Sequence, residues 1–185
     1  HYNSFYQFTS NEEKLALAEE TLEKALELSP TNQQVYFIFA QTLFLQGKQE
    51  KALEFLQKAK DLEPRFVGSG WYLVRGYRMT GKYELALSEL KELENLGFDW
   101  QGNIETLKEG IEILKETGED VNLLIPLYEK GIELDPQDLY LWEDLINAYI
   151  NTGKIEKAKE AAEKFLEIKP EFAPQVEQLL KELGY

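Results

Sequence analysis

The arginines of this 185-residue chain form a small cluster in an otherwise acidic sequence. There are only three, Arg65, Arg75 and Arg78, and all of them lie within 14 residues, beside Trp71 and Tyr72. A guanidinium group is a planar donor that fits a carboxylate, and an exposed aromatic ring offers a partner rigid contact area. On a helix, Trp71, Arg75 and Arg78 would share one face because their spacing is i, i+4, i+7. The cluster therefore predicts a binding site for an acidic or aromatic peptide.

The sequence offers little that could carry catalysis. The single histidine is His1, and cysteine is absent, so a histidine base and a thiol nucleophile have no candidate. The Gly-Ser-Gly segment at 68–70 lacks the spacing of a nucleophile elbow and fits either a helix entry or a weak anion site. The acidic residues, for example those around Glu116, lack the spacing of a calcium loop. We therefore expect no enzyme activity, no metal site and no cofactor.

The charge balance limits the class of partner. Acidic residues outnumber basic residues 34 to 20, which gives a formal net charge of −14 at pH 7. Nucleic acids and anionic lipids normally bind to a basic face, so we expect neither as a partner. Alternatively, the acidic surface simply keeps a repeat protein in solution. No apolar run approaches the ~18 residues of a membrane span, so we expect no membrane insertion by this chain, and the compartment stays open.

A fixed interval of 34 residues runs through much of the chain. Small residues and turn residues recur at this interval. They are the alanines Ala18, Ala52 and Ala86, the glycines Gly47 and Gly81, and the proline pairs Pro30 with Pro64 and Pro136 with Pro170. Between these positions apolar residues recur at helical spacing, and no long stretch alternates with period two. Glycine fits the left-handed residue that closes a helix, and proline fits the exit because it cannot continue the helix. The pattern predicts short helices that are paired into antiparallel hairpins.

The unit from Gln33 to Pro64 shows the repeat most fully. Its aromatic, apolar, small and turn positions are Tyr36, Phe39, Ala40, Leu43, Gly47, Ala52, Leu56, Ala59 and Pro64. This pattern resembles the tetratricopeptide repeat. The resemblance implies an all-α fold, a right-handed α-solenoid of antiparallel helix hairpins, over nearly the whole chain. We expect one domain of about four and a half hairpins, with units at 1–32, 33–66, 67–100, 101–138 and 139–170 and a capping helix at 171–185.

The resemblance also places the arginine cluster. In this family the first helix of each unit lines a concave groove that binds proteins or peptides. Matching the units brings seven residues to that groove, and we expect them to contact the partner: Phe37, Gln41, Phe44, Trp71, Tyr72, Arg75 and Arg78. Alternatively, Arg75 and Arg78 pair with acidic residues on the matching face of the next unit, Glu105, Glu109 and Glu112. The Lys and Asn that grip C-terminal carboxylates in some members are absent from these places, so binding of chaperone tails is not expected.

Two regions depart from the repeat. Residues 1–8 look too short for a full helix, so we expect the first helix to run from about Asn11 to Leu28. Gly118 lies 37 residues after Gly81, three more than the period, so we expect the first helix of unit 101–138 to be longer by nearly one turn. Pro126 stands near the start of the next helix, which should therefore begin late or bend.

Together these features predict a non-catalytic interaction module that binds a protein or peptide through its groove. The alternative is a structural subunit that stacks end to end with copies of itself, because the apolar residues Tyr2, Phe5 and Phe8 would need a partner. The chain starts at His1 rather than Met, and its first unit looks truncated, so we expect a segment of a larger bacterial protein. Its arrangement of repeats is also similar to the C-terminal repeat region of some bacterial O-antigen ligase/polymerase-like membrane proteins.

Overall fold

The computed structural model describes the backbone of residues 2–182 and the side chains of residues 12–181. This part of the chain is built from helices and contains no strand. The α-helices are α1 (Tyr2–Leu28), α2 (Gln33–Leu45), α3 (Gln49–Leu62), α4 (Val67–Met79), α5 (Tyr83–Asn95), α6 (Ile104–Glu116), α7 (Val121–Leu134), α8 (Leu139–Asn151), α9 (Ile155–Ile168) and α10 (Ala173–Glu182). They form two compact units, an N-terminal unit of residues 1–98 and a C-terminal unit of residues 99–185.

Glycines close the first helix of successive hairpins, as the sequence predicts. Gly47 follows α2 with a φ angle of 74°, and Gly81, Gly118 and Gly153 follow α4, α6 and α8 with φ angles of 71°. Only glycine adopts this left-handed conformation without strain. At Gly47 the amide of Lys48 donates a 2.8 Å hydrogen bond back to the carbonyl oxygen of Leu43, which completes the helix end. The turns are short, so consecutive helices pack as antiparallel neighbours.

The core of the N-terminal unit lies between α2 and α3 and extends to α4. Phe39, Leu43 and Leu73 are almost completely buried in it. Ala40 and Ala52, which the sequence assigns to a close helix crossing, are 1% and 0% exposed. Their small side chains let the two helix axes approach, and larger neighbours fill the remaining space.

The first helix is longer than the sequence predicts. The expected start near Asn11 is wrong, because α1 is continuous from Tyr2 to Leu28. The physical reason is that residues 2–28 contain neither Gly nor Pro, so nothing in the sequence stops the helix. The expected packing of Tyr2, Phe5, Tyr6 and Phe8 concerns side chains outside the described residues.

The three extra residues before Gly118 do not lengthen a helix, so that prediction is also wrong. Helix α6 has 13 residues, as α2, α4 and α8 do. The additional chain lies in the connection of residues 96–103, which is twice as long as the connection of residues 63–66. It buries Trp100 against α6 at Gly110, where an added Cβ atom would lie only 2.2 Å from the indole ring. The insertion therefore supplies a core side chain.

Helix α7 does not begin late. It starts at Val121, and the carboxylate of Asp120 caps it by accepting a 2.9 Å hydrogen bond from the amide of Asn122. Pro126 lies inside the helix, where it removes the hydrogen bond to the carbonyl of Asn122. Both residues are exposed, so water can satisfy that carbonyl and the helix continues. This explains why the proline does not break the helix.

The C-terminal unit has its own core, made by α6 to α9. Its largest contributors are buried aromatic and aliphatic side chains, among them Leu107, Ile113, Trp142, Leu145, Tyr149 and Phe165. Helix α10 follows a 3-10 turn at Pro170–Phe172 and places Val176 against this core. No helix in the described part of the chain is both long enough and apolar enough to cross a membrane.

Candidate functional site

Helices α2 and α4 bound a groove in the N-terminal unit, and local interactions fix both of them. The side chain of Asn32 caps α2 by accepting a hydrogen bond from the amide of Gln34. The side-chain amide of Gln33 donates a 2.7 Å hydrogen bond from Nε2 to the carbonyl oxygen of Ala59, and this bond connects α2 to α3. Gly76 lets α4 lie directly on α3, since an added Cβ atom would come within 2.8 Å of the Leu56 side chain.

The groove between α2 and α4, called here the N-terminal groove, has a volume of about 390 Å³. Five of the seven residues singled out in the sequence line it, namely Phe37, Gln41 and Phe44 on α2 and Tyr72 and Arg75 on α4. The rings of Phe37 and Tyr72 lie 4.7 Å apart between centroids, which holds the Tyr72 ring in the wall of the groove. Phe37 itself is buried, whereas Gln41, Tyr72 and Arg75 are exposed.

Trp71 and Arg78 do not line the N-terminal groove. Trp71 is half-buried and packs on Phe98, with 5.3 Å between the ring centroids. Arg78 is also half-buried. Arg75 and Arg78 both already interact with other groups of the protein. Arg65, the third arginine, is exposed and lies outside the groove.

Five further residues line the groove and were not predicted for it, namely Ala40, Leu45, Leu56, Gly76 and Met79. Leu45 and Met79 are 74% and 57% exposed, and Leu56 on α3 is buried. A helical signal existed for two of them, since Leu45 is four residues after Gln41 and Met79 is four residues after Arg75. This signal is not specific, because single apolar residues also occur on ordinary protein surfaces.

The N-terminal groove is lined mainly by apolar side chains and has one cationic group. Its walls are aromatic and aliphatic side chains, and its polar groups are the Gln41 amide, the Tyr72 hydroxyl and the Arg75 guanidinium. Among the residues that line it, Arg75 is the only charged one. Such a site can bury an apolar side chain and accept a neighbouring carboxylate, because a guanidinium donates two parallel hydrogen bonds to a carboxylate.

A buried ion pair supports the helices beneath the groove. Lys60 on α3 donates 2.8 Å hydrogen bonds to Glu89 and to Glu92 on α5. Burial raises the pKa of Glu89, although the hydrogen bond from Lys60 opposes that shift. Burial alone would lower the pKa of Lys60, but its two carboxylate partners raise it above the ordinary value. The raised pKa of Lys60 favours its charged form, whereas the raised pKa of Glu89 shows that burial outweighs the effect of Lys60 on this carboxyl group.

The Gly-Ser-Gly segment at 68–70 is the first turn of α4, not a loop that cradles a ligand. Ser69 is fully buried, and its hydroxyl donates a 2.7 Å hydrogen bond to the carbonyl oxygen of Phe66. Gly70 faces α5, where an added Cβ atom would meet Leu93 at 2.5 Å. The segment therefore serves helix packing. The described residues also contain no cluster of three or more groups that could hold a metal ion.

The helix pairs, the glycine turns and the groove between first helices define a helical-repeat protein of the solenoid class. Two models of the tetratricopeptide repeat match the sequence, one over residues 11–73 and one over residues 147–172. Residues 11–73 and 147–172 are therefore identified as tetratricopeptide repeats. Proteins of this family generally mediate interactions with other proteins and are typically non-catalytic.

Solved structures show the same fold over most of the chain. A crystal structure of YrrB, a TPR protein with an unusual peptide-binding site, is 20% identical over 82% of this chain and 76% of its own, with a TM-score of 0.65. MamA from Desulfovibrio magneticus RS-1 is 15% identical over 92% and 94%, with a TM-score of 0.66. A further MamA crystal structure is 20% identical over 88% and 93%, with a TM-score of 0.67. At these identities the likeness establishes the all-α solenoid fold.

No curated protein matches the sequence. The similarity in repeat order to O-antigen ligase/polymerase-like proteins gains no support from these comparisons. The comparisons therefore show tetratricopeptide repeats and an all-α solenoid fold.

Proposed function

We propose that this chain is a non-catalytic interaction module whose N-terminal groove binds a peptide with an apolar side chain next to a carboxylate. The observation that carries this proposal is the composition of the groove. Residues from two first helices form apolar walls around a single cationic group, and no carboxylate lines the pocket. A peptide-binding site in the fold is also known from YrrB, which supports this type of function.

The groove suggests how the peptide would be held. An apolar side chain would lie against Phe44, Tyr72 and Met79, and full burial of such a side chain is worth about 1.5–3 kcal/mol. The guanidinium of Arg75 would donate to the carboxylate, and the amide of Gln41 would bond to the peptide backbone. A hydrogen bond to a charged group adds about 1.5–3 kcal/mol. Because association itself is costly, we expect micromolar affinity.

The existing interactions of Arg75 do not conflict with this role. A guanidinium carries five N–H donors, so one arginine can serve a group of the protein and a ligand together. The pairing of Arg75 and Arg78 with Glu105, Glu109 and Glu112 stays a prediction. Trp71 and Arg78 lie outside the pocket, so in our proposal they contribute to packing near the site and do not touch the apolar part of the peptide.

Selection from a random-peptide library tests the proposal. The library is selected on the wild-type chain and on two variants, Arg75→Glu and Arg65→Glu. Arg65 is a matched control because it is exposed in the same unit but lies outside the groove. We expect a consensus in which Asp or Glu adjoins an apolar residue, with binding weakened about tenfold by Arg75→Glu and less than about twofold by Arg65→Glu. Equal effects of the two variants, or the absence of any consensus with Asp or Glu beside an apolar residue, would contradict the proposed site.

Self-association is the second candidate function. Leu17 and Leu28 on α1 are 64% and 88% exposed, so α1 offers apolar surface to another chain. Sedimentation of the wild type and of Leu28→Lys over a range of concentrations tests this candidate. A mass that rises with concentration only for the wild type would favour it, whereas a strict monomer at high concentration would exclude it. The idea that the chain is a segment of a larger bacterial protein stays a prediction that its full reading frame will test.

A further inference from the structure

The two units differ strongly in charge. Residues 99–185 contain 20 acidic residues against nine lysines and no arginine, a formal charge of −11. Residues 1–98 contain 14 acidic and 11 basic residues, a formal charge of −3. The C-terminal unit therefore carries most of the net charge and should attract a basic partner.

Part of this acidity is already neutralised within the C-terminal unit. On the side of α8 that faces α6, Lys108 pairs with Asp138, and Lys115 pairs with Asp144 at 2.8 Å. Asp138 is further engaged because it accepts hydrogen bonds from the amides of Tyr140 and Leu141. These carboxylates already have partners, so they are poor candidates for binding a further cation.

The other side of α8 is different. Between α8 and α10 lies a pocket of about 660 Å³, called here the C-terminal groove. Its base is apolar and includes Ile146 on α8, Phe165 on α9 and Val176 on α10. No Lys or Arg is among the residues that line it. The groove can therefore bury an apolar side chain. Asp138 also lines it, and its carboxylate is the one that pairs with Lys108.

The rim of the C-terminal groove holds exposed polar side chains. Glu143 is exposed and has no hydrogen bond or ion pair with any other described residue. Asn147 on α8 and Gln175 on α10 are likewise exposed, and their amides make no side-chain hydrogen bond within the described part of the chain. A carboxylate and two amides around an apolar base are groups that can hold a cationic side chain and a peptide backbone.

The repeat register shows that this groove corresponds to the N-terminal groove but has the opposite charge. Gly153 lies 106 residues after Gly47, and the same offset joins Pro170 to Pro64. With this offset, Glu143 takes the place of Phe37 and Asn147 takes the place of Gln41. A buried aromatic wall in one groove is thus an exposed carboxylate in the other.

We propose that the C-terminal groove binds a peptide segment in which an apolar side chain is flanked by Lys or Arg. The apolar side chain lies against Ile146, Phe165 and Val176, and the cationic group pairs with Glu143. This goes beyond the function proposed for the N-terminal groove, because it assigns a second site with the opposite charge preference. One chain could then hold an acidic and a basic segment at once.

Two synthetic peptides test this site. The basic probe is acetyl-Lys-Leu-Phe-Lys-Leu-amide, and the acidic probe has Glu in place of both Lys. Binding is followed by amide chemical shifts in NMR spectra of the whole chain, wild type and Glu143→Lys. The matched control is Glu163→Lys, which reverses an exposed charge on α9 outside the groove. Asn147→Ala is a second variant with no change of charge.

We expect the basic probe to shift amides of α8 and α10, and its affinity read from these amides should be about tenfold higher than that of the acidic probe. Glu143→Lys should weaken it about tenfold, Asn147→Ala by several-fold, and Glu163→Lys less than about twofold. Failure of the basic probe to shift these amides, equal affinities of both probes at them, or equal effects of the two charge reversals would overturn the proposal. The acidic probe is expected to shift amides of α2 and α4 instead, and these are read separately, so the outcomes at α8 and α10 do not bear on the N-terminal groove.

Discussion

Replacing Lys60 by Met should destabilise the N-terminal unit through Glu89. The Lys60 and Glu89 side chains are only 12% and 8% exposed, and their charged atoms are 2.8 Å apart. Lys60→Met keeps the length of the side chain but leaves the Glu89 carboxylate buried without its counter-ion. An uncompensated buried charge is strongly destabilising, with typical costs of about 3–5 kcal/mol.

The size of the loss can be bounded from the chemistry of Glu89. The variant can avoid a buried charge by protonating Glu89, whose ordinary pKa is 4.5. At 1.36 kcal/mol per pH unit, that proton costs about 3 kcal/mol at pH 7 and less than about 1 kcal/mol at pH 5. Burial raises the folded-state pKa of Glu89 and Lys60 opposes that shift, so removing Lys60 raises this pKa further and the loss grows as the pH rises above 4.5. The effect of Lys60→Met should therefore be largest at neutral pH.

Urea denaturation at pH 7 and pH 5, followed by circular dichroism, measures this loss. The control is Lys82→Met, which breaks a 2.7 Å pair with Glu50 whose side chains are 33% and 76% exposed. Such an exposed pair is worth at most about 1 kcal/mol. The double variant Lys60→Met/Glu89→Gln should regain most of the stability because it removes the buried charge. Equal losses for Lys60→Met and Lys82→Met, or the same loss at both pH values, would refute this reasoning.

Three further outcomes are expected. Ala52→Leu should lower the free energy of unfolding by about 1–3 kcal/mol, because Ala52 is fully buried at a close helix crossing; a urea midpoint equal to that of the wild type would contradict the assigned face. Gly110→Ala should cost about 1–3 kcal/mol despite alanine's higher helix propensity, because its Cβ atom would overlap the Trp100 ring; unchanged stability and tryptophan fluorescence would argue against this contact. Tyr128 and Tyr149 should ionise near pH 12, because burial raises both pKa values to about 12, with the Glu129 hydrogen bond adding to the shift at Tyr149. Because the neutral forms are favoured in the folded protein, the two tyrosines contribute to its stability up to about pH 10, and this contribution to stability is lost towards pH 12. An absorbance titration in which all tyrosines of the folded protein ionise together near pH 10 would contradict this prediction.

Much of the fold could be predicted because each repeat is specified locally. The glycines that close first helices must adopt positive φ angles, and the alanines at helix crossings must be small, so both leave a periodic trace in the sequence. The extra residues before Gly118 could not be placed in the same way. Three added residues are compatible with a longer helix or a longer connection, and the choice depended on where Trp100 is buried.

The residues of the N-terminal groove could be predicted from the sequence where the geometry of a single helix determines which face they lie on. The faces of α2 and α4 follow from the helical period, so Arg75 was predicted from its spacing and Phe44 from matching the unit to the repeat family. Trp71 fits the same spacing but packs on Phe98, which lies 27 residues further along the chain and approaches only in the folded unit. The C-terminal groove was missed for a similar reason, because its base combines side chains from three helices.

The most direct test of the proposed function is a charge swap between Arg75 and the bound peptide. Chemical shifts of the α2 and α4 amides measure the affinity of the N-terminal groove, in the wild type and in Arg75→Glu, for a selected acidic peptide and for its counterpart with Lys in place of the acidic residue. The proposed site predicts that Arg75→Glu loses about tenfold in affinity for the acidic peptide and recovers it with the Lys counterpart. Equal affinities of both proteins for each peptide would show that Arg75 does not face the ligand and would contradict binding in the N-terminal groove.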